Sequence, residues 1–411
     1  MVILLLPSLN YDEKDPKFQL LGKIFDFMNK KRTLDYLSRA GIKNRSKVLL
    51  SIKILFMSMF FEYPISKVIN ELNRSNRLRK FVGVEVDNLK VDQIYEILSR
   101  STAEQYVKFI NGILNLFNKD TRGKYRTFIV DATPSACDFN LDKKYITKEH
   151  LEKLKLKWSY STTKGTYIGF KVTLVLNKKT MCPVSVLIHN GAPHDSRIFE
   201  EVLKELKRRK IIRPKDILLF DRGYFSYKNY SIALNKYKII PVIFPKDNFT
   251  IDRLKSFLSL PLEACAESKR GRELKTLIIG LGTILFKKLE NWEELKPKRG
   301  IIEDFFKLAK DAFGLGEFHS YSAESMMRNI YLCLLLTALI VQQRYKTKTR
   351  LQRLSEGDVL QNTPVKEKNK NKKDNDNDVE KTEEKPSNKN KKGQQELDII
   401  FNHNQSVLDS F

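Results

Sequence analysis

The sequence predicts an α/β fold in which a mixed sheet is flanked by helices and preceded by an all-helical region. Three observations lead there. Thr127-Phe-Ile-Val-Asp131 and Ile217-Leu-Leu-Phe-Asp221 share one design, an apolar run closed by an acid, which reads as a buried strand that ends abruptly. Helical spacing of apolar residues dominates before about residue 125 and gives way to strand-like runs after it. Three strands in succession are then followed by helix, strand, helix and strand, an order that belongs to sheets with helices on their faces.

In residues 1–124, Leu50, Ile54, Met57, Ser58 and Phe61 fall on one helical face, and Ile65, Val68, Ile69 and Leu72 continue at spacings of three and four. Further helices are expected over Val91 to Leu98 and Ala103 to Phe117. Basic residues are dense here, among them Lys43, Arg45, Lys47, Arg74, Arg77, Arg79 and Lys80. Two readings fit, a DNA-binding or dimerisation region and a solvated helical cap on the next domain. No helix-turn-helix signature chooses between them.

From Thr127 the expected strands are Thr127 to Val130, Tyr167 to Leu176 and Cys182 to Ile188, with turn residues Asn177-Lys-Lys-Thr180 between the last two. His194-Asp-Ser196 opens a helix whose Ile198, Phe199, Val202, Leu203 and Leu206 share a face, with Asp195 as its N-cap, and Pro214 stops it. Ile217 to Phe220, a helix over Tyr227 to Tyr237 and a strand over Ile239 to Phe244 complete the ribonuclease H-like order. Residues 247–295 interrupt it as an insertion, expected to hold a basic helix around Arg253 to Leu260 and a hairpin turning at Gly280-Leu-Gly282. Helices near 300–313 and 323–343 come next, closing a domain of residues 125–345. Residues 346–411 are so rich in Lys, Asn, Asp and Glu that a disordered basic and polar tail is expected.

Of the 411 residues 75 are Lys or Arg and 49 Asp or Glu, a net charge of +26, which points to a polyanionic partner and to nucleic acid first. Cys137, Cys182, Cys265 and Cys333 form no CxxC pair and read as buried thiols in a reducing compartment. Met1-Val-Ile-Leu-Leu-Leu6 is too short and lacks the basic start of an export signal. The apolar runs Val48 to Phe61 and Ile330 to Val341 fall short of the roughly 20 residues of a bilayer span. A cytoplasmic, nucleoid-associated protein with no membrane partner is expected.

A carboxylate beside the end of a buried strand needs a positive partner, a basic side chain or a metal ion. Asp131 and Asp221 are two such acids, and the third candidate is Glu303. At 100° per residue Arg299, Glu303 and Lys310 lie within about 40° of one another, beside the apolar face of Ile302, Phe305 and Ala309. On a surface helix that stripe would be an ordinary ion-pair ladder.

Taken together, these motifs resemble those of DDE transposases of bacterial and archaeal insertion sequences, in the broad IS-four-like group. Asp131-Ala-Thr133 matches the first acid, Asp221-Arg-Gly-Tyr224 the second, and Arg299, Glu303 and Lys310 the pattern R-(3)-E-(6)-K around the third. Gly169-Phe-Lys171 and His194-Asp195 match recurrent neighbours. The resemblance spans roughly residues 125–343. One departure is that Lys296 stands where the family has a phosphate-contacting Tyr, so a point charge replaces a hydroxyl.

The resemblance implies a ribonuclease H-like catalytic domain whose Asp131, Asp221 and Glu303 hold two Mg²⁺ or Mn²⁺ ions, Asp131 bridging both. Arg299, Lys310, Lys296 and Arg222 would bind DNA phosphates, with Arg222 pairing with Asp221 as the alternative. Double-stranded DNA, both element ends and target, would be the partner, and two ends brought together imply a homodimer. Trp158 and Trp292, the two tryptophans, are expected to pack. The rival readings are a metal-dependent nuclease of the same fold that never joins strands, and a non-catalytic DNA-binding remnant.

Overall fold

The structure, a computed structural model, describes residue 9 and residues 11–117, 126–138, 146–162, 164–246, 248–263, 269–319 and 322–344. The expected tail over 346–411 and Cys265 lie outside these. The described residues all belong to one compact unit.

Seven helices lead the chain: α1 (Pro16–Asn29), α2 (Lys31–Arg39), α3 (Arg45–Phe61), α4 (Ile65–Arg74), α5 (Asn76–Val82), α6 (Val91–Ser99) and α7 (Ala103–Phe117). Asp15 caps α1, accepting from the Lys17 N–H, with Pro16 at the first helical position where its missing donor costs nothing. Lys53, the one charge in the apolar run of α3, is buried and donates to the Val82 carbonyl at 3.0 Å. Burial lowers its pKa, and the Phe25 ring lies 5.4 Å from its ammonium.

The sheet begins at β1 (Thr127–Asp138), which does not stop at Val130 as the sequence suggested. It runs on through Asp131 because β3 (Gly165–Asn177) pairs with it antiparallel from Phe128↔Asn177 to Ala136↔Gly169. Helix α8 (Lys148–Leu154) and the short strand β2 (Trp158–Ser161) precede β3, and β2 pairs with its first residues. β4 (Pro183–Asn190) pairs with β3 further along. Helix α9 (Asp195–Arg208) leads to β5 (Ile217–Phe220), parallel to β1, and α10 (Tyr227–Ser231) continues as a π-helical turn over Ile232–Tyr237 to β6 (Ile240–Ile243), parallel to β5. The principal order is thus β4-β3-β1-β5-β6, three antiparallel strands then two parallel ones, as the ribonuclease H-like reading requires.

The insertion corrects the expectation from sequence. It holds α11 (Ile251–Glu263) and α12 (Lys269–Glu290), and no hairpin, for α12 runs unbroken through Gly280 and Gly282. Ile278, Leu281, Leu285 and Leu289 are buried at helical spacing, and that apolar stripe outweighs the glycines. Helix α13 (Trp292–Phe313) starts earlier than expected and carries Pro297 within its first two turns. β7 (Glu317–His319) adds to the far end of β1, and α14 (Ala323–Arg344) closes the unit. Residues Ala323–Gln343 are long and apolar enough to cross a bilayer, yet 78% of the qualifying window is buried inside the protein. Among the described cysteines, Cys137, Cys182 and Cys333 are buried free thiols.

One ion pair locks the two acid-bearing strands together at their starts. Arg126, just before β1, reaches Asp216, just before β5, at 2.5 and 3.0 Å, and Asp216 is 1% exposed. Removing Arg126 takes the guanidinium from a buried carboxylate that otherwise accepts from the Arg213 N–H at 2.9 Å. Arg126→Met is therefore expected to destabilise the fold by about 3–5 kcal/mol in denaturant melts. A loss under about 1 kcal/mol would show that water compensates Asp216.

Candidate active site

The backbone brings the three acids together by simple means. Val130 and Phe220 are register partners in adjacent parallel strands, so the residues after them, Asp131 and Asp221, stand side by side. Strands lie about 4.8 Å apart. At Asp221 the chain leaves the sheet and makes a single 3₁₀ turn over Arg222–Tyr224. Tyr224 anchors that turn, with its ring fully buried and 5.1 Å from Phe220.

Helix α13 crosses above and presents Arg299 and Glu303 one turn apart. The Arg299 guanidinium touches all three carboxylates: Asp131 at 2.9 Å, Asp221 at 3.8 Å, and Glu303 in the closest contact of the set. Burial pushes the Asp131 carboxyl up to about 7; Arg299 and the Ala132 N–H pull it down, while Asp221 and Asp195 push it further up. The arrangement is a set of hard oxygen donors gathered around one cationic group.

The Transposase DDE domain family matches residues 122–339, more than half of the chain. The chain belongs to this family. No curated protein matches it. A solved piggyBac transposase synaptic complex with hairpin DNA is similar at 10% identity and a TM-score of 0.38, over 84% of this chain and 80% of that one.

The other basic residues of this DDE domain lie at different removes from the acids. Lys310 is half-buried two turns beyond Glu303; burial and Lys164 lower its pKa, and Asp131 is close enough to raise it. Lys296 is exposed and lies over the Trp292 ring at 5.5 Å, while Trp292 packs on Phe244 as expected. Arg222 is exposed, and the cation on Asp221 is Arg299. Trp158, expected to pack, is instead exposed. Asp138 lies at the far end of β1 beside His319, about 23 Å along the strand from Asp131.

A fourth carboxylate was passed over in the sequence. Asp195 does not cap α9; His194 does, its Nδ1 accepting from the Ser196 N–H. Asp195 instead takes the Lys171 ammonium at 2.7 Å, and Lys171 also donates to the Pro193 carbonyl. It lies so close to Gly223 that a Cβ there would come within 2.9 Å of its carboxylate. The signal was present in Gly169-Phe-Lys171 and His194-Asp195, but helix capping explained the acid without reference to the lysine.

Because the folded-state pKa of Asp131 is raised from 3.8 to about 7, the folded chain keeps a proton in that window that the unfolded chain releases. Stability contributed at this position therefore falls as pH rises from about 4 to about 7. In metal-free buffer, Asp131→Asn is expected to melt at a higher temperature than the unsubstituted protein at pH 8 and at the same temperature near pH 4. Equal midpoints at both values would mean that Arg299 offsets the burial completely.

Proposed function

We propose that this chain is the transposase of a prokaryotic insertion sequence of the IS-four-like group. It would bind the ends of its element, cleave DNA by metal-dependent phosphodiester hydrolysis, and join the freed 3′ hydroxyl to target DNA. The observation that carries this reading is the convergence of Asp131, Asp221 and Glu303 on one guanidinium. These three carboxylates come from two strands and a helix far apart in sequence, yet meet at one point.

The donor set suits Mg²⁺ or Mn²⁺, being all carboxylate oxygen. Asp131, Asp221 and Glu303 would hold two such ions, which when bound supply an activated water and stabilise the leaving 3′ oxygen. Among the described residues, no three acidic, His or Cys side chains stand close enough together to hold an ion. Arg299 therefore has to swing out before the acids close, and a scissile-strand phosphate is the natural acceptor for its guanidinium. Lys310 grips a second phosphate as a point charge. Asp195, held by Lys171 against the turn at Gly223, keeps the backbone beside Asp221 in place.

In this reading residues 1–124 serve DNA binding or dimerisation and 125–345 catalysis. Two ends held together call for a homodimer, acting on the nucleoid in the cytoplasm.

Purified protein, Mg²⁺, a duplex ending in the element's terminal repeat and a target plasmid test the proposal. Joined products are expected. Asp221→Asn and Glu303→Gln are each expected to lower cleavage by at least ~100-fold, since residues that merely orient metal ligands are worth about 10–100-fold. Both variants should still retard the duplex. Nicks without joining would make the protein a nuclease, and unchanged activity in Asp131→Asn would leave only a DNA-binding role.

A further inference from the structure

Helix α9 begins with an uncommon cap. Its N-cap is His194, whose Nδ1 accepts from the Ser196 N–H at 3.3 Å and lies 2.9 Å from the Ser196 hydroxyl. Ser, Thr, Asn and Asp are the usual residues at this position, and each caps with a smaller side chain. Histidine differs in having a second nitrogen across its ring. A backbone N–H can only donate, so Nδ1 carries no proton and the ring's N–H is at Nε2. Both contacts are at Nδ1 and the residue is otherwise exposed, which leaves Nε2–H as a donor on the edge away from the cap.

The topology brings this donor to the acids. β4 and β1 are both antiparallel to β3, so they run the same way, and His189 and Pro134 are both register partners of Lys171. β4 therefore ends level with the part of β1 just past Asp131. The Lys171 ammonium then holds the Pro193 carbonyl at 2.9 Å and the Asp195 carboxylate at 2.7 Å. Asp195 in turn abuts Gly223, two residues past Asp221, and its charge is felt at Asp131. His194 lies between Pro193 and Asp195, one Cα step of about 3.8 Å from either. It is thus fixed from both sides beside the turn that follows Asp221.

Its surroundings favour an anion. Arg197, three residues on, and Arg222 in the turn are both exposed. The adjoining acid, Asp195, is already taken by Lys171. A ring N–H in such a place needs an acceptor, and a phosphate oxygen is the acceptor that the two guanidinium groups would also draw in.

We propose that His194 is a substrate-contacting residue, its Nε2–H donating to a phosphate oxygen of the DNA strand that lies across Asp131 and Asp221. Arg299 and Lys310 reach that strand from α13, and His194 holds it from the α9 side. The cap fixes the tautomer, so the donor is in place before DNA arrives. The inference rests on DNA being the partner, as proposed above, and not on the metal chemistry of the acids.

The test uses the full-length protein in EDTA with the terminal-repeat duplex, so that no strand is cut. Asparagine replaces Nδ1 as a cap but is too short to place a donor where Nε2 stands. His194→Asn is therefore expected to melt with the unsubstituted protein. It should bind the duplex about 10- to 100-fold more weakly, the loss of one hydrogen bond to a charged group. With the five histidines labelled with ¹⁵N, the signals that vanish in His194→Asn, and in His194→Ser as a second cap, belong to His194. They should show the Nε2–H tautomer in the free protein and a shift at Nε2 when duplex is added. That shift should persist in Asp221→Asn, which separates this contact from the cleavage reading. Unchanged affinity in His194→Asn, or a duplex retarded without moving Nε2, makes His194 a cap only and overturns the contact. A duplex that the unsubstituted chain fails to retard overturns the DNA reading and the contact with it.

Discussion

One guanidinium shared by three carboxylates is the constraint around which the structure is arranged. Two unit charges 4 Å apart interact by about 4 kcal/mol at the effective dielectric of a protein surface. Acids from β1, β5 and α13 could not sit together without a cation between them. Arg299 is that cation in this structure, contacting Asp131, Asp221 and Glu303 at once. Even so, Asp131 remains reluctant to ionise, with a pKa of about 7. The site is therefore built under electrostatic tension, with one guanidinium as the charge that the three acids share.

The parts of the fold that hold this tension are ordinary. Arg126 and Asp216 pin the starts of β1 and β5, so the strand ends beyond them cannot drift apart. Phe199 of α9 lies 4.8 Å from Phe220 on the face away from Asp131, leaving that face to α13. On α13 itself, buried Ile302, Phe305 and Phe306 seat the helix so that Arg299 and Glu303 look at the strands.

How much of this was legible depended on the range of the interaction. The acids were legible because a carboxylate after an apolar run has few explanations, and Arg299, Glu303 and Lys310 because helical spacing is a local property. The extension of β1 past Asp131 was not, since Pro134 looks like a strand breaker. It is tolerated because β5 pairs only as far as Val130 and β7 only from Ala136, so on that edge no partner in either strand faces Pro134. In α12 the glycines were given more weight than a buried stripe that only packing against the sheet reveals. Asp195 was misassigned because its partner, Lys171, lies on another element. Exposure of Trp158 could not be read at all, being a property of what fails to cover it.

α14 packs against α1, α3 and α7 as well as against α13 and β4, and the Ala103 N–H at the start of α7 donates to Glu324 at 2.7 Å. The earliest helices thus complete their core with one of the last. On the ribosome, at about 5–20 residues per second, α7 would wait roughly 10–40 s for α14 to emerge. Throughout that interval the face of α7 that packs on α14 is without its final neighbour.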